Sequence, residues 1–198
     1  MKHPEIFLLP ALMLADYFLT VYSAILLERK YQDFFKVDQH ELNPAFQNAI
    51  ANKKWFNTKH LSTTVLFTAS FVFLFEIDLL PDVLVEGIMG ALLIIYAIVV
   101  RRHLINILLA RWIIRNPTDV SGAVTMSHRY SLNSSLFSGI GDLLLIAFLV
   151  IFNPTPFLVG SLIGSGWFGF YHLVWIDKHK RAVAKQKQAE DASSSEPA

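Results

Sequence analysis

An all-α bundle of about five transmembrane helices, a polytopic integral membrane protein with its N-terminus outside and its C-terminus in the cytoplasm, is the fold that this chain predicts. The apolar runs come first. Residues 6–27, 61–80, 83–100, 136–152 and 157–176 are each close to the ~20 apolar residues that cross a ~30 Å hydrocarbon core as helix. Composition agrees, with 54% hydrophobic and only 17% charged residues, against roughly 25% charged in soluble domains. Charge placement supplies the orientation. Of 17 lysines and arginines, all but Lys2 fall within residues 29–59, 101–129 and 178–187. The tight connections at Pro81 and Pro154 carry none. Basic loops stay in the cytoplasm, so the segregation places those three segments inside.

The first run, residues 6–27, has one carboxylate, Asp16, and no cation. It exceeds the 7–15-residue apolar core of a secretory signal, so it reads as a retained helix. In lipid the backbone must satisfy its own hydrogen bonds, and the alternation of a barrel is missing, so the runs are helices. Turns at Pro81-Asp82 and at Asn153-Pro154-Thr155-Pro156 make the second and third spans, and the fourth and fifth, antiparallel pairs. In the first inner segment Asn43-Pro44 reads as an N-cap followed by a first-turn proline. It predicts an interfacial helix over about 44–56, with Phe46, Ile50 and Trp55 toward the membrane surface. The third run stays apolar beyond residue 100. Residues 83–115 as one helix would measure about 50 Å, so it must project from the bilayer or bend near Arg101, and Asn116-Pro117 ends it. Residues 178–198 form a cytoplasmic tail, basic at first and then disordered over the last ten residues.

Two intramembrane carboxylates stand out. Asp16 sits near the middle of its span, about 16 Å from either surface, where an ionisable group is costly and a functional candidate. Thr20, one turn on, shares its face. Asp142 follows Ser138, Gly139 and Gly141, glycines that would admit a close neighbouring backbone. His172 lies near the cytoplasmic edge of the fifth span, on a face with Ser161, Ser165 and Gly169 and beside the pair Gly160 and Gly164. Small residues at intervals of four indicate tight helix packing before they indicate a substrate slot. Asp16, Asp142 and His172 brought together in one bundle interior would make a proton or cation relay. Glu76, Asp78, Asp82 and Glu86 around the outer turn read as a solvated acidic hairpin.

The intramembrane Asp16 with Thr20 one turn on, then Glu41-Leu42-Asn43-Pro44, resembles a family of small, uncharacterised polytopic membrane proteins, a domain of unknown function. The likeness covers roughly the first 45 residues and implies no reaction. It adds Glu41 and Asn43 to the candidate site of Asp16, Thr20, Asp142 and His172.

Absence of Cys excludes disulfides, thiolate catalysis and cysteinyl metal or haem sites. Phosphate-loop, His-Glu-x-x-His and Gly-x-Ser-x-Gly patterns are missing. Ser165 and His172 on one helix would be about 10 Å apart, too far for proton transfer. No catalytic residue, metal or cofactor is therefore assigned. The leading expectation is a multi-pass protein of the cell or inner membrane, a small transporter or channel-like protein with a proton or cation site. A non-catalytic assembly or packing subunit is the alternative. A lipid-modifying enzyme built from Glu41, His128, Arg101, Arg102 and Arg129 is the third. Expected partners are the bilayer, anionic headgroups at the basic segments, and a second copy or a membrane partner subunit. Nucleic acid is not among them, because headgroups account for the basic segments.

Overall fold

The computed structural model describes residues 3–28, 33–37, 46–77 and 80–194. Glu41, Asn43 and Pro44 lie outside them. The described chain is helical almost throughout. After a 3-10 turn, Pro4–Phe7, come α1 (Leu8–Leu27), α2 (Gln47–Ala51), α3 (Thr58–Glu76), α4 (Asp82–Arg115), α5 (His128–Phe152) and α6 (Pro156–Ser194). Two three-residue strands, β1 (Phe35–Val37) and β2 (Val124–Met126), pair in parallel with Phe35 opposite Val124. They join the two segments expected on the cytoplasmic side.

Local chemistry explains where the helices start and stop. The Asn57 side chain accepts from the amides of Lys59 and His60 at the start of α3, and Ser127 accepts from Tyr130 at the start of α5. Thr155 accepts from the Leu158 amide while Pro156 opens α6, a cap followed by a first-turn proline. Asn116-Pro117 terminates α4 as the sequence predicts.

The interfacial helix is shorter than the expected 44–56. It stops at Ala51, where Lys53 turns left-handed at φ 51°. The Lys54 amide then donates to Ala49 and the Lys53 amide to Ile50, the paired bonds of a Schellman cap. Ile50 beds against Tyr17, Val21 and Ala24 of α1. The expected disorder of the tail gives way to helix through Ser194, because its Ala, Lys, Gln and Glu are good helix formers.

Among the described residues, four helices are long and apolar enough to cross a membrane: Pro4–Leu26, Asp82–Arg115, His128–Phe152 and Pro156–Lys185. α3 is of similar length, but Lys59, His60 and a run of hydroxyls dilute its first half. The buried core is mainly apolar but includes hydroxyl side chains, and large apolar side chains also cover the surface, unlike a soluble protein. Thr64, Ser161 and Ser165 are among the most buried side chains, while Phe137, Leu144, Phe148 and Ile151 on α5 are exposed.

Contacts fix the helix directions. Ile6, Leu9 and Met13 pack against Val85, Met89 and Leu93, and Leu26 meets Ile107 and Ala110, so α1 and α4 are parallel. Phe75 joins the Ile6 end and His60 stacks on Tyr17, so α3 runs the other way. Gly139 lies on Phe168, and Leu132 meets Ile176, making α5 and α6 antiparallel.

α4 and α6 approach closest. A Cβ on Gly160 would overlap the Gly87 carbonyl oxygen, one on Gly90 the Phe157 carbonyl, and one on Gly164 the backbone of Ala91. The Ser161 hydroxyl lies 2.9 Å from the Phe157 carbonyl of its own helix and 3.2 Å from the Gly90 carbonyl of α4, and its one proton serves these two acceptors. Gly87 and Ala91 thus face Gly160 and Gly164, in parallel register, through backbone contact. Gly141, Gly166 and Gly169 face open space instead; of the expected approach sites on α5, only Gly139 is occupied.

Gly160→Ala should therefore destabilise the protein by about 1–3 kcal/mol, the usual cost of overpacking. Gly166→Ala should be neutral or stabilising by up to about 1 kcal/mol, as helix propensity favours alanine. Thermal unfolding of both variants in one detergent checks the contrast, and an equal response would contradict the close crossing.

Candidate functional site

Three consecutive residues of α4 receive the polar groups of the other long helices. Successive helix positions turn by about 100°, so Arg101, Arg102 and His103 serve different neighbours. His103 faces α1, where its Nε2 lies 3.1 Å from Asp16 Oδ1 and 3.2 Å from Thr20 Oγ1. Thr20 donates its own hydroxyl proton to the Asp16 carbonyl at 2.8 Å. With Thr20 donating elsewhere, its hydroxyl oxygen accepts from Nε2–H, which assigns the tautomer, and the Asp16 carboxylate stands beside the same nitrogen at ion-pair distance. Thr20 is buried, and Asp16 is part-exposed at 28%.

His60, in the first turn of α3, completes this corner. Its ring stacks on Tyr17 with centroids 4.6 Å apart and meets Phe46 edge-on at 5.3 Å. Tyr17 donates its hydroxyl to the Lys54 carbonyl at 2.6 Å, drawing the start of α3 against α1. Burial lowers the His60 pKa below the usual histidine value, and the nearby Asp16 charge partly opposes that.

Arg101 and Arg102 face α5. Arg101 donates to Asp142 Oδ2 at 2.6 Å and to Ser138 Oγ at 3.0 Å. Arg102 donates to Ser135 Oγ. Ser135 Oγ lies 2.6 Å from His172 Nε2, and His172 Nδ1 lies 3.0 Å from the Phe168 carbonyl. With Nδ1–H donating to that carbonyl, Nε2 accepts from Ser135, and every member of the network is satisfied. Ser135 and His172 are each 3% exposed.

The structure thus separates what the sequence was expected to bring together. Asp142 and His172 belong to the α4–α5–α6 network, while Asp16 and Thr20 belong to α1–α4. Arg101 and His103, which hold the two aspartates, project about 200° apart. Along α1, Asp16 lies halfway between Ile6 and Leu26, whose partners Val85 and Ile107 bracket Tyr96 on α4, so its contact with His103 reaches along several residues of rise. Ser161 serves the α4–α6 crossing, as small-residue packing predicts, while the buried Ser165 hydroxyl has no hydrogen-bond partner. Arg101 and Arg102 bond to α5, while the Arg101 side chain stays 45% exposed. His128 stands edge-on to His179 at 4.9 Å, whereas those arginines engage α5. Glu41 and Asn43 lie outside the described residues. Among the described residues no cluster of three or more His, Asp or Glu could hold a metal ion.

His103, His60 and Ser135 escaped the sequence reading. The signal for His103 was its place in Arg101-Arg102-His103, at the end of a membrane-length run. Those arginines drew attention to charge and away from the neighbouring imidazole.

Because burial lowers the His60 pKa in the folded state below the unfolded value near 6.5, unfolding takes up protons in acid. This contribution to stability is complete above about pH 6.5 and is lost as the pH falls below it. His60→Phe keeps an aromatic ring against Tyr17 and should flatten the melting-temperature profile between about pH 5 and 6.5. Melting curves across that range, beside wild type, check it.

Comparison with protein-family models, with curated proteins and with solved structures finds no match to this chain.

Proposed function

We propose that this is a five-span integral membrane protein, N-terminus outside and C-terminus inside, acting as a small transporter or channel-like protein with a proton site at Asp16 and His103. The parallel run of α1, α4 and α6, with α3 and α5 returning between them, supports the five-span reading. So does the strand pairing of the two basic loops on one side. α3 is then the second span despite its diluted first half.

The 3.1 Å contact between Asp16 and His103 carries the functional reading. It sets an imidazole, the side chain that most often carries protons, beside a carboxylate within a membrane-length helix. Thr20 offers an alternative acceptor to the same Nε2 proton. Asp142 differs in kind, because its partner Arg101 keeps its proton at any physiological pH. That carboxylate is neutralised in place and joins α4 to α5. The Gly87–Gly160 crossing favours the second reading, an assembly subunit, since it invests α4 in packing.

Topology is checked with single cysteines in this cysteine-free chain. With an impermeant thiol reagent on intact cells, Asp82→Cys should label and Glu190→Cys should not. The reverse pattern overturns the orientation. For the site, purified wild type, Asp16→Asn and Asp142→Asn are melted across a pH and Na⁺/K⁺ series. The ion-dependent stabilisation that follows from preferential binding to the folded state should persist in Asp142→Asn and vanish in Asp16→Asn. Identical responses in all three would leave only the assembly role.

A further inference from the structure

The outer wall between α1 and α3 contains a groove of about 620 Å³. Phe7, Pro10 and Leu14 line one side, Leu61, Val65 and Val72 the other. From Leu61 to Glu76 the α3 wall rises about 22 Å, most of the ~30 Å hydrocarbon thickness. Lys59 and His60 stand just beyond its Leu61 end, and Glu76 closes the far end.

The hydroxyls of α3 divide by face. Thr63 donates to the Lys59 carbonyl and Ser70 to the Leu66 carbonyl, 2.8 Å each. These exposed groups satisfy themselves on the helix backbone, the usual recourse of such residues. Thr64 and Thr68 line the groove, are 2% and 9% exposed, and have no hydrogen-bond partner for their hydroxyls. A buried hydroxyl without a partner is destabilising, and two in succession on one wall call for an acceptor from outside the chain. Threonine divides between two χ1 rotamers in a helix, so either hydroxyl can turn toward the groove.

We propose that this groove holds one acyl chain of a glycerophospholipid from the leaflet on the Lys59 side. Its ester carbonyl accepts from Thr64 or Thr68, and its phosphate lies toward Lys59. Thr64 sits about 8 Å of helix rise inside Lys59, the order in which a phospholipid presents phosphate, ester and chain. The acidic Glu76 end disfavours an anionic headgroup entering from the opposite leaflet. This proposal rests on the reading that α3 lies in the bilayer.

The probe is a phosphatidylglycerol with a diazirine in one acyl chain, photolysed with the reconstituted protein in phosphatidylcholine vesicles. Labelling should concentrate on Leu14, Thr68 and Val72, well above Leu66 and Ser70 on the other face of α3. Thr68→Phe, which fills the groove, should bring groove labelling down to the level of that face. In case this variant misfolds, the near-isosteric double variant Thr64→Val with Thr68→Val should lower phosphatidylglycerol retained in native mass spectra by about five-fold, the worth of one hydrogen bond. Equal labelling of both faces overturns the groove while leaving α3 in the bilayer. Absence of label from both faces overturns the membrane reading of α3 and the proposal with it. Cross-links from groove residues to a second copy of the chain, in place of lipid, also overturn it.

Discussion

Helices in a bilayer gain little from hiding apolar side chains from one another, because lipid is just as apolar. What joins them must be close backbone contact or bonds between polar groups. In this chain both fall on α4. Its first turns meet α6 through Gly87, Gly90 and Ala91, where the absence or smallness of side chains lets carbonyl and backbone touch. Three to four turns later Arg101, Arg102 and His103 collect Asp142, Ser135 and Asp16 from two other helices. Removing α4 would leave α1 and α6 without their main neighbour, and would strand two aspartates in surroundings where an unpaired charge is costly.

The two aspartates look alike in a hydropathy trace and differ in what holds them. An arginine fixes the charge of its partner and makes a permanent joint. A histidine, unlike an arginine, carries no permanent charge. Such buried polar bonds average only about 0.6 kcal/mol in membranes, so neither pair dominates stability. The distinction lies in protonation, and it follows from side chains two positions apart on one helix.

The helices and their order were legible because hydropathy and charge act residue by residue. The end of α4 at Asn116-Pro117 and the small-residue contact of α6 were readable for the same reason: each depends on a few adjacent residues. Register between helices was not, since nothing within residues 6–27 says which level of α4 they accompany. Counting along its own helix places Asp16 at mid-span, and the contacts of Ile6 with Val85 and of Leu26 with Ile107 keep it level with about Tyr96, but which α4 side chain reaches it, His103, is a matter of register that only the structure shows. The same limit joined Asp16, Asp142 and His172 in one expected cluster. Their depths are compatible, but their azimuths around α4 are not.

α4 is a single unbroken helix from Asp82 to Arg115, and its tightest contact lies near one end, at Gly87 and Gly90. That geometry is a lever with its pivot off-centre. A tilt of about 5° about the crossing moves His103 by about 2 Å and the far end by about 4 Å, given a rise of 1.5 Å per residue. Two ångströms is enough to make or break a 3.1 Å contact with Asp16, so a small rotation at the glycine end of α4 is amplified into a change of contact further along it.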